Sequence, residues 1–283
     1  MAFGELEIPV NTQNRDPRVA CALLVDVSGS MSGYVADLER GFKTFIDDIQ
    51  GDPLARKRAE VAVVTFGSEA NLLVPFQEAR SLSPVSFQIN GSTNMAAAIN
   101  LALDELEARK SEYKAEHLEY FRPWLFLLTD GEPNPGGFDA AVQRLNEAEA
   151  RKQVTVFGVG VGSGVNWDKL NQLSKERVAV HMDGLAFGEM FKWLSASLSS
   201  VSNSSNYGAN DADVANQTQQ IALPSPQGWA VLLRSADAIP AAAVGVSASA
   251  IGIAGVRVCP CSDSRDGSDL ASDRGKRPRH FSR

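Results

Sequence analysis

The sequence predicts an α/β fold: a doubly wound, mainly parallel sheet with helices on both faces, followed by a poorly ordered C-terminal tail. Three observations carry this. Near-continuous apolar runs of strand length recur from about residue 18 to 202, as expected of parallel strands covered on both sides. Segments with apolar residues at three- and four-residue steps alternate with them, the period of a helix with one buried stripe. Ser, Gly, Pro and Asp gather at the junctions, where turns and helix starts are needed.

In order, RVACALLVDV (18–27) is the first buried strand. After a Ser/Gly turn, Leu38, Phe42, Phe45, Ile46 and Ile49 mark a helix. AEVAVVTF (59–66) is the second strand, and ANLLVPF (70–76) a partner whose Pro75, lacking an N–H, suits a sheet edge. Met95, Ile99, Leu103 and Leu106 mark a second helix, PWLFLLTD (123–130) a third buried strand, and Phe138, Ala141, Val142 and Leu145 the next helix. QVTVFGVGV (153–161) is a strand, NWDKLNQLS (166–174) a short helix and RVAVHM (177–182) a last strand. Phe187, Met190, Phe191, Leu194, Leu198 and Val201 close the series with a helix. Such βαβ units build sheets that bind ligands beyond the carboxyl ends of their strands.

The chain thus divides into an N-terminal extension (1–15), one α/β domain (16–202), a polar linker with a Pro/Trp segment (203–236) and a low-complexity tail (237–283). The linker SNSSNYGANDADVANQTQQ is too polar to bury a core. IALPSPQGWAVLL, with Pro224, Pro226 and Trp229, is expected to fold back on the domain. Residues 238–256 are uncharged and near the length that spans a bilayer. Their Ala, Gly and Ser content is only weakly apolar, so a poorly ordered extension is preferred to a membrane anchor.

With 283 residues, 44% of them hydrophobic, the chain holds enough material for one well-buried core. A net charge of -7 gives no overall basic field, which argues against nucleic acid or an anionic membrane as partner. The start MAFGELEIPVNTQNRDPR lacks a basic stretch followed by an apolar one, so no secretory signal is read. Cys21 lies in an apolar run, and Cys259 and Cys261 sit together in the tail. A cytoplasmic location without a disulfide framework is expected.

Three strand ends or helix entries carry oxygen-bearing side chains. Asp26 ends the first strand and Ser28 and Ser30 follow it; NGSTNM offers Thr93; PWLFLLTDGEPN ends in Asp130. Each piece alone is an ordinary capping or turn sequence. Together they supply two carboxylates and three hydroxyls without histidine or cysteine, a donor set for a hard divalent cation such as Mg²⁺ rather than zinc. Two aspartates balance such an ion, and an incoming carboxylate can complete its shell.

LLVDVSGSM, GSTNM and LFLLTDGEPN resemble the three segments of the metal-ion-dependent adhesion site of von Willebrand factor A domains. The resemblance spans about residues 16–202 and implies a Rossmann-like fold. It implies that Ser28, Ser30 and Thr93 ligate Mg²⁺, with Mn²⁺ or Ca²⁺ as alternatives, while Asp26 and Asp130 act directly or through water. It also implies capture of an acidic residue from a protein partner, and no enzymatic activity. VDVSGSMSG, QINGSTNM and ALPSPQGWA are similar to the bacterial, cytoplasmic, tellurium-resistance TerY-like branch. That likeness implies a stress-response signalling system with a Ser/Thr kinase or a PP2C-type phosphatase as partner.

An enzyme and a dinucleotide-binding protein are the competing readings. A Mg²⁺-dependent haloacid-dehalogenase-like phosphohydrolase also begins with Asp at the end of a first strand, but its general acid two residues on would here be Ser28. FGVGVGSGV lacks the third glycine of a dinucleotide fingerprint, so its glycines are read as a flexible connection after a strand. His181 is expected in the core or at the rim, and His117 in solvent.

Overall fold

The sheet forms where the apolar runs lie. In the computed structural model, which describes residues 8–182, 184–215, 223, 224, 226 and 228–232, β1 (Val19–Asp26) leads through a 3₁₀ turn (Gly29–Gly33) into α1 (Val35–Gly51) and α2 (Ala55–Arg58). Then come β2 (Ala59–Phe66), β3 (Ala70–Glu78), α3 (Met95–Ala115), β4 (Tyr120–Phe121), β5 (Trp124–Thr129) and α4 (Phe138–Ala150). The chain continues as β6 (Thr155–Val161), α5 (Trp167–Leu170), β7 (Val180–Met182), α6 (Phe187–Ser202), β8 (Tyr207–Gly208), α7 (Asp211–Ala215) and β9 (Ala230–Leu232).

Seven strands make the main sheet in the order β3-β2-β1-β5-β6-β7-β9. The five inner strands are parallel, and β3 and β9 bracket them antiparallel. Every residue of β1 is buried, and its side chains alternate between two cores. Val19, Cys21, Leu23 and Val25 face α1 and α6, where Phe42, Phe45 and Phe191 pack together. Ala20, Ala22 and Leu24 face α3 and α4, with Ile99, Leu106 and Leu145. The Cys21 thiol, wholly buried, is pushed up to about 12 by desolvation and is chemically quiet. Pro75 lies in the edge strand β3, as read.

At the amino-terminal pole of the sheet lies an ionic cluster with no local signature. Arg18 and Glu60 are fully buried and pair at 3.1 Å, Arg109 reaches the same carboxylate at 2.6 Å, and the Tyr113 hydroxyl donates to it at 2.7 Å. Arg18 also donates to the Asn11 carbonyl at 3.1 Å, so the segment ahead of β1 is tied to the domain.

The polar stretch after residue 202, expected as a linker, carries structure. β8 pairs with β4, Val214 of α7 is buried, and Asp211 accepts from the Tyr120 hydroxyl and from Lys110 Nζ, each at 3.0 Å. Two-residue strands and a one-turn helix are held by these distant contacts rather than by their own composition. The Pro/Trp segment does fold back. Trp193 Nε1 donates to the Pro224 carbonyl at 2.7 Å, the Trp193 and Trp229 rings meet at 5.5 Å, and β9 extends the sheet beyond β7. Gly158 and Gly160 lie inside β6, not in a connection after it, and a Cβ at Gly160 would stand 2.4 Å from the Trp167 ring. Residues 238–256, Cys259 and Cys261 lie outside the described residues. Among the described residues, no helix is long and apolar enough to cross a membrane.

The contact between α1 and α6 depends on Gly41. A Cβ there would lie 2.8 Å from Phe191 Cδ2, 2.9 Å from Phe187 Cβ and 3.0 Å from the Phe187 backbone. Gly41→Val is expected to force the helices apart at a cost of about 1–3 kcal/mol, read as a lowered urea midpoint. An unchanged midpoint would show that the interface yields freely.

Candidate metal centre

β1 and β5 are neighbours, yet the chain leaves β1 toward β2 on one side and β5 toward β6 on the other. Their carboxyl ends therefore form the point where the strand order reverses and a crevice opens. Asp26 is the last residue of β1, and Asp130 follows the end of β5. The five residues singled out in the sequence meet here.

Backbone bonds draw three loops together. Asn90 N donates to the Val27 carbonyl at 2.7 Å and Gly29 N to the Gly91 carbonyl at 2.9 Å, which ties the Thr93 loop to the loop after β1. Gly91 has a φ of +65, and a Cβ there would meet Ser68 Oγ at 1.8 Å, so glycine suits both the backbone and the space. Thr93 N donates to Asn134 Oδ1 at 3.3 Å and Asn134 N returns a bond to the Thr93 carbonyl at 2.9 Å, fixing the third loop. Asn94 caps α3 by accepting from Ala97 N at 3.2 Å, which leaves Thr93 just outside the helix.

The side chains form a continuous line. Asp26 Oδ1 accepts from Ser28 N at 2.8 Å, Ser28 Oγ lies 3.0 Å from Ser30 Oγ, and Ser30 Oγ donates to Asp130 Oδ1 at 2.7 Å. A Cβ on Gly131 would sit 3.4 Å from Thr93 Oγ1 and 3.8 Å from Ser30 Oγ, so the absent side chain leaves a cradle between those hydroxyls. Asp26 has no exposed surface, and Ser28, Thr93 and Asp130 are buried, while Ser30 is open.

Burial raises the pKa of both aspartates above the ordinary carboxylate range. For Asp26, hydrogen bonds from Thr129 and Ser28 oppose the shift and the Asp130 charge adds to it; for Asp130, the bond from Ser30 opposes it. No basic side chain is among the causes for either group. Two poorly compensated carboxylates beside three hydroxyl oxygens and an open cradle fit a hard divalent cation. Among the described residues, no cluster of three or more His, Cys, Asp and Glu side chains that could hold a metal ion occurs.

Two participants were not read from the sequence. Thr129 donates to Asp26 Oδ2 at 2.5 Å across the β1–β5 seam, and Asn134 holds the Thr93 loop. The threonine ahead of Asp130 in LLTDG was the available signal. His181 is at the rim, 3.1 Å from the Gly162 carbonyl and edge-on to Trp167, and His117 is exposed. Ser28 occupies the position a phosphohydrolase needs for its acid, and it bonds to another hydroxyl.

Residues 21–187 match the von Willebrand factor type A domain family. The chain belongs to that family. The VWA domain is similar in fold to a von Willebrand factor type A protein from Catenulispora acidiphila (18% identity, 65% of this chain and 43% of that one, TM-score 0.51). It is also similar to the pilus adhesin SpaC of Lactobacillus rhamnosus GG (15% identity, 68% and 31% covered, TM-score 0.54). The manganese-loaded TRAP protein of Plasmodium vivax matches at 22% identity over 62% of this chain and 73% of that one, with a TM-score of 0.46. The chain thus spans less than half the length of the first two proteins. No curated protein matches the sequence. VWA domains generally mediate metal-dependent protein interactions and are typically not enzymes.

A carboxyl whose folded-state pKa is raised favours the folded state at acid pH, and that contribution is lost as pH rises through the raised value. In chelator, the wild type is therefore expected to gain thermal stability relative to the Asp26→Asn/Asp130→Asn double variant as pH falls from about 7 to about 5. Parallel pH profiles for the two proteins would remove the electrostatic argument.

Proposed function

We propose that this VWA domain is a divalent-metal-dependent protein-binding module and not an enzyme. Ser28, Ser30 and Thr93 ligate Mg²⁺, and Asp26 and Asp130 complete its surroundings directly or through water; Mn²⁺ and Ca²⁺ suit the same oxygens. When bound, the ion supplies an electrophilic position that a carboxylate from a partner protein can fill. The observation that supports this reading is the unbroken line Asp26–Ser28–Ser30–Asp130, with Thr93 beside it, at the strand-order reversal. Thr129 orients Asp26, and the paired bonds between Thr93 and Asn134 hold the third hydroxyl in place.

The resemblance of VDVSGSMSG, QINGSTNM and ALPSPQGWA to the tellurium-resistance TerY-like branch supports a finer reading. In it the partner is a Ser/Thr kinase or a PP2C-type phosphatase of a bacterial stress-response system, and the domain works in the cytoplasm.

Thermal unfolding in Mg²⁺ or Mn²⁺ against chelator tests the metal. At a hundred times its Kd, the ion is expected to stabilise the wild type by about 2.7 kcal/mol and Asp26→Ala or Ser30→Ala by far less. Equal stabilisation of all three would place the ion elsewhere. Thr129→Val, which leaves the ligands in place but removes the donor to Asp26, is expected to weaken metal affinity about 10- to 100-fold by calorimetry.

A further inference from the structure

The six loops at the carboxyl end of the sheet hold no Lys, Arg or His among their described residues, 27–34, 67–69, 89–94, 130–137, 162–166 and 184–186. The charged side chains among these described residues are Asp130, Glu69 and Glu132. Glu69 is exposed in the β2–β3 hairpin. That hairpin abuts the Thr93 loop: Asn94 N donates to the Gly67 carbonyl at 2.8 Å and Ser68 N to the Asn90 carbonyl at 3.1 Å. Glu132, two residues after Asp130, is exposed and accepts from Asn166 Nδ2 at 3.3 Å. Basic side chains on the adjoining elements have partners of their own: the His181 ring, at the rim, lies 3.1 Å from the Gly162 carbonyl. Lys169 pairs with Asp139 at 3.2 Å and lies 5.1 Å over the Phe138 ring, and Arg40 pairs with Asp37 at 2.5 Å. Arg18, Arg58, Arg80 and Arg109 gather at the opposite pole, with Glu60, Glu78 and Asp16.

A doubly charged ion would balance Asp26 and Asp130, and a captured carboxylate would then add one negative charge. Glu69 and Glu132 remain as unbalanced acidity on the rim, with exposed Ile89 (38%) and Leu185 (50%) on the same face. A run of acidic residues would be repelled there, whereas a single carboxylate set among basic side chains would be drawn in.

Resting on the metal-dependent reading above, we propose that the partner segment is a lone Asp or Glu flanked within a few residues by Lys or Arg, whose cationic heads lie against Glu69 and Glu132. The metal position selects the carboxylate, and the two glutamates select its neighbours.

The test is a displayed peptide library with a fixed central Asp or Glu and randomised flanks, selected on the full chain in Mn²⁺ and counter-selected in chelator. Representative winners are then titrated as synthetic peptides. Metal-dependent binders are expected to be enriched in Lys and Arg, and to bind about tenfold more tightly than the same peptides with serine flanks, an advantage that shrinks from about 50 mM to about 500 mM salt. In Glu69→Lys/Glu132→Lys the preference is expected to shift toward acidic flanks, with the Mn²⁺ thermal shift retained. Metal-dependent binders without basic enrichment, no metal-dependent binders despite an intact thermal shift, or an unchanged preference in the double variant would each overturn the inference. Absence of the thermal shift in the wild type would instead overturn the metal-dependent reading beneath it.

Discussion

A carboxylate with no exposed surface, Asp26, stands at the seam between the two central strands, and much of the molecule is arranged around keeping it there. Its desolvation is offset by two short bonds, one from Ser28 within its own loop and one from Thr129 on the neighbouring strand. The Thr129 donor is in reach only because β1 and β5 run parallel and end together, which in turn requires α1 and α3 to carry the chain out and back on opposite faces. The two cores, one on each side of β1, give this seam its rigidity. Hydrogen bonds alone leave both site aspartates with raised pKa values, so the site retains an electrostatic demand that a cation is suited to meet.

The poles of the sheet solve opposite problems. At the amino-terminal end, Glu60 is matched by Arg18, Arg109 and Tyr113, so the buried charge is compensated within the chain. At the carboxyl end, compensation stops at hydroxyls and backbone amides. The first arrangement anchors the segment ahead of β1; the second leaves capacity for something from outside.

Much of this was legible in the sequence because burial on two faces and the helical period leave local traces. The strand 59–66 matches its expected span, and the apolar steps through Leu38, Phe42 and Ile49 match the buried stripe of α1. The places of Asp26, Ser28, Ser30, Thr93 and Asp130 were also readable, since each sits by a strand end or helix entry that the pattern itself defines. What escaped depends on contacts distant in sequence. Nothing near residue 18 announces that Arg18 will meet Glu60, and nothing in SNYGANDADVA shows that Val214 will be buried or that Asp211 will meet Lys110. Thr129 and Asn134 are common turn-region residues whose roles appear only when loops far apart in the chain are placed side by side.

The return of the chain as β9 has a consequence for association between copies. β7 is only three residues long and, without β9, would present its open side to other chains as an unpaired row of amides and carbonyls. β9 fills that side from within, and the contact of the Trp193 and Trp229 rings holds it near. A form of the protein trimmed back to the end of α6 would keep all five residues of the candidate site and yet carry a sticky flank. The short stretch after the polar run is therefore a guard for solubility as much as an extension of the sheet.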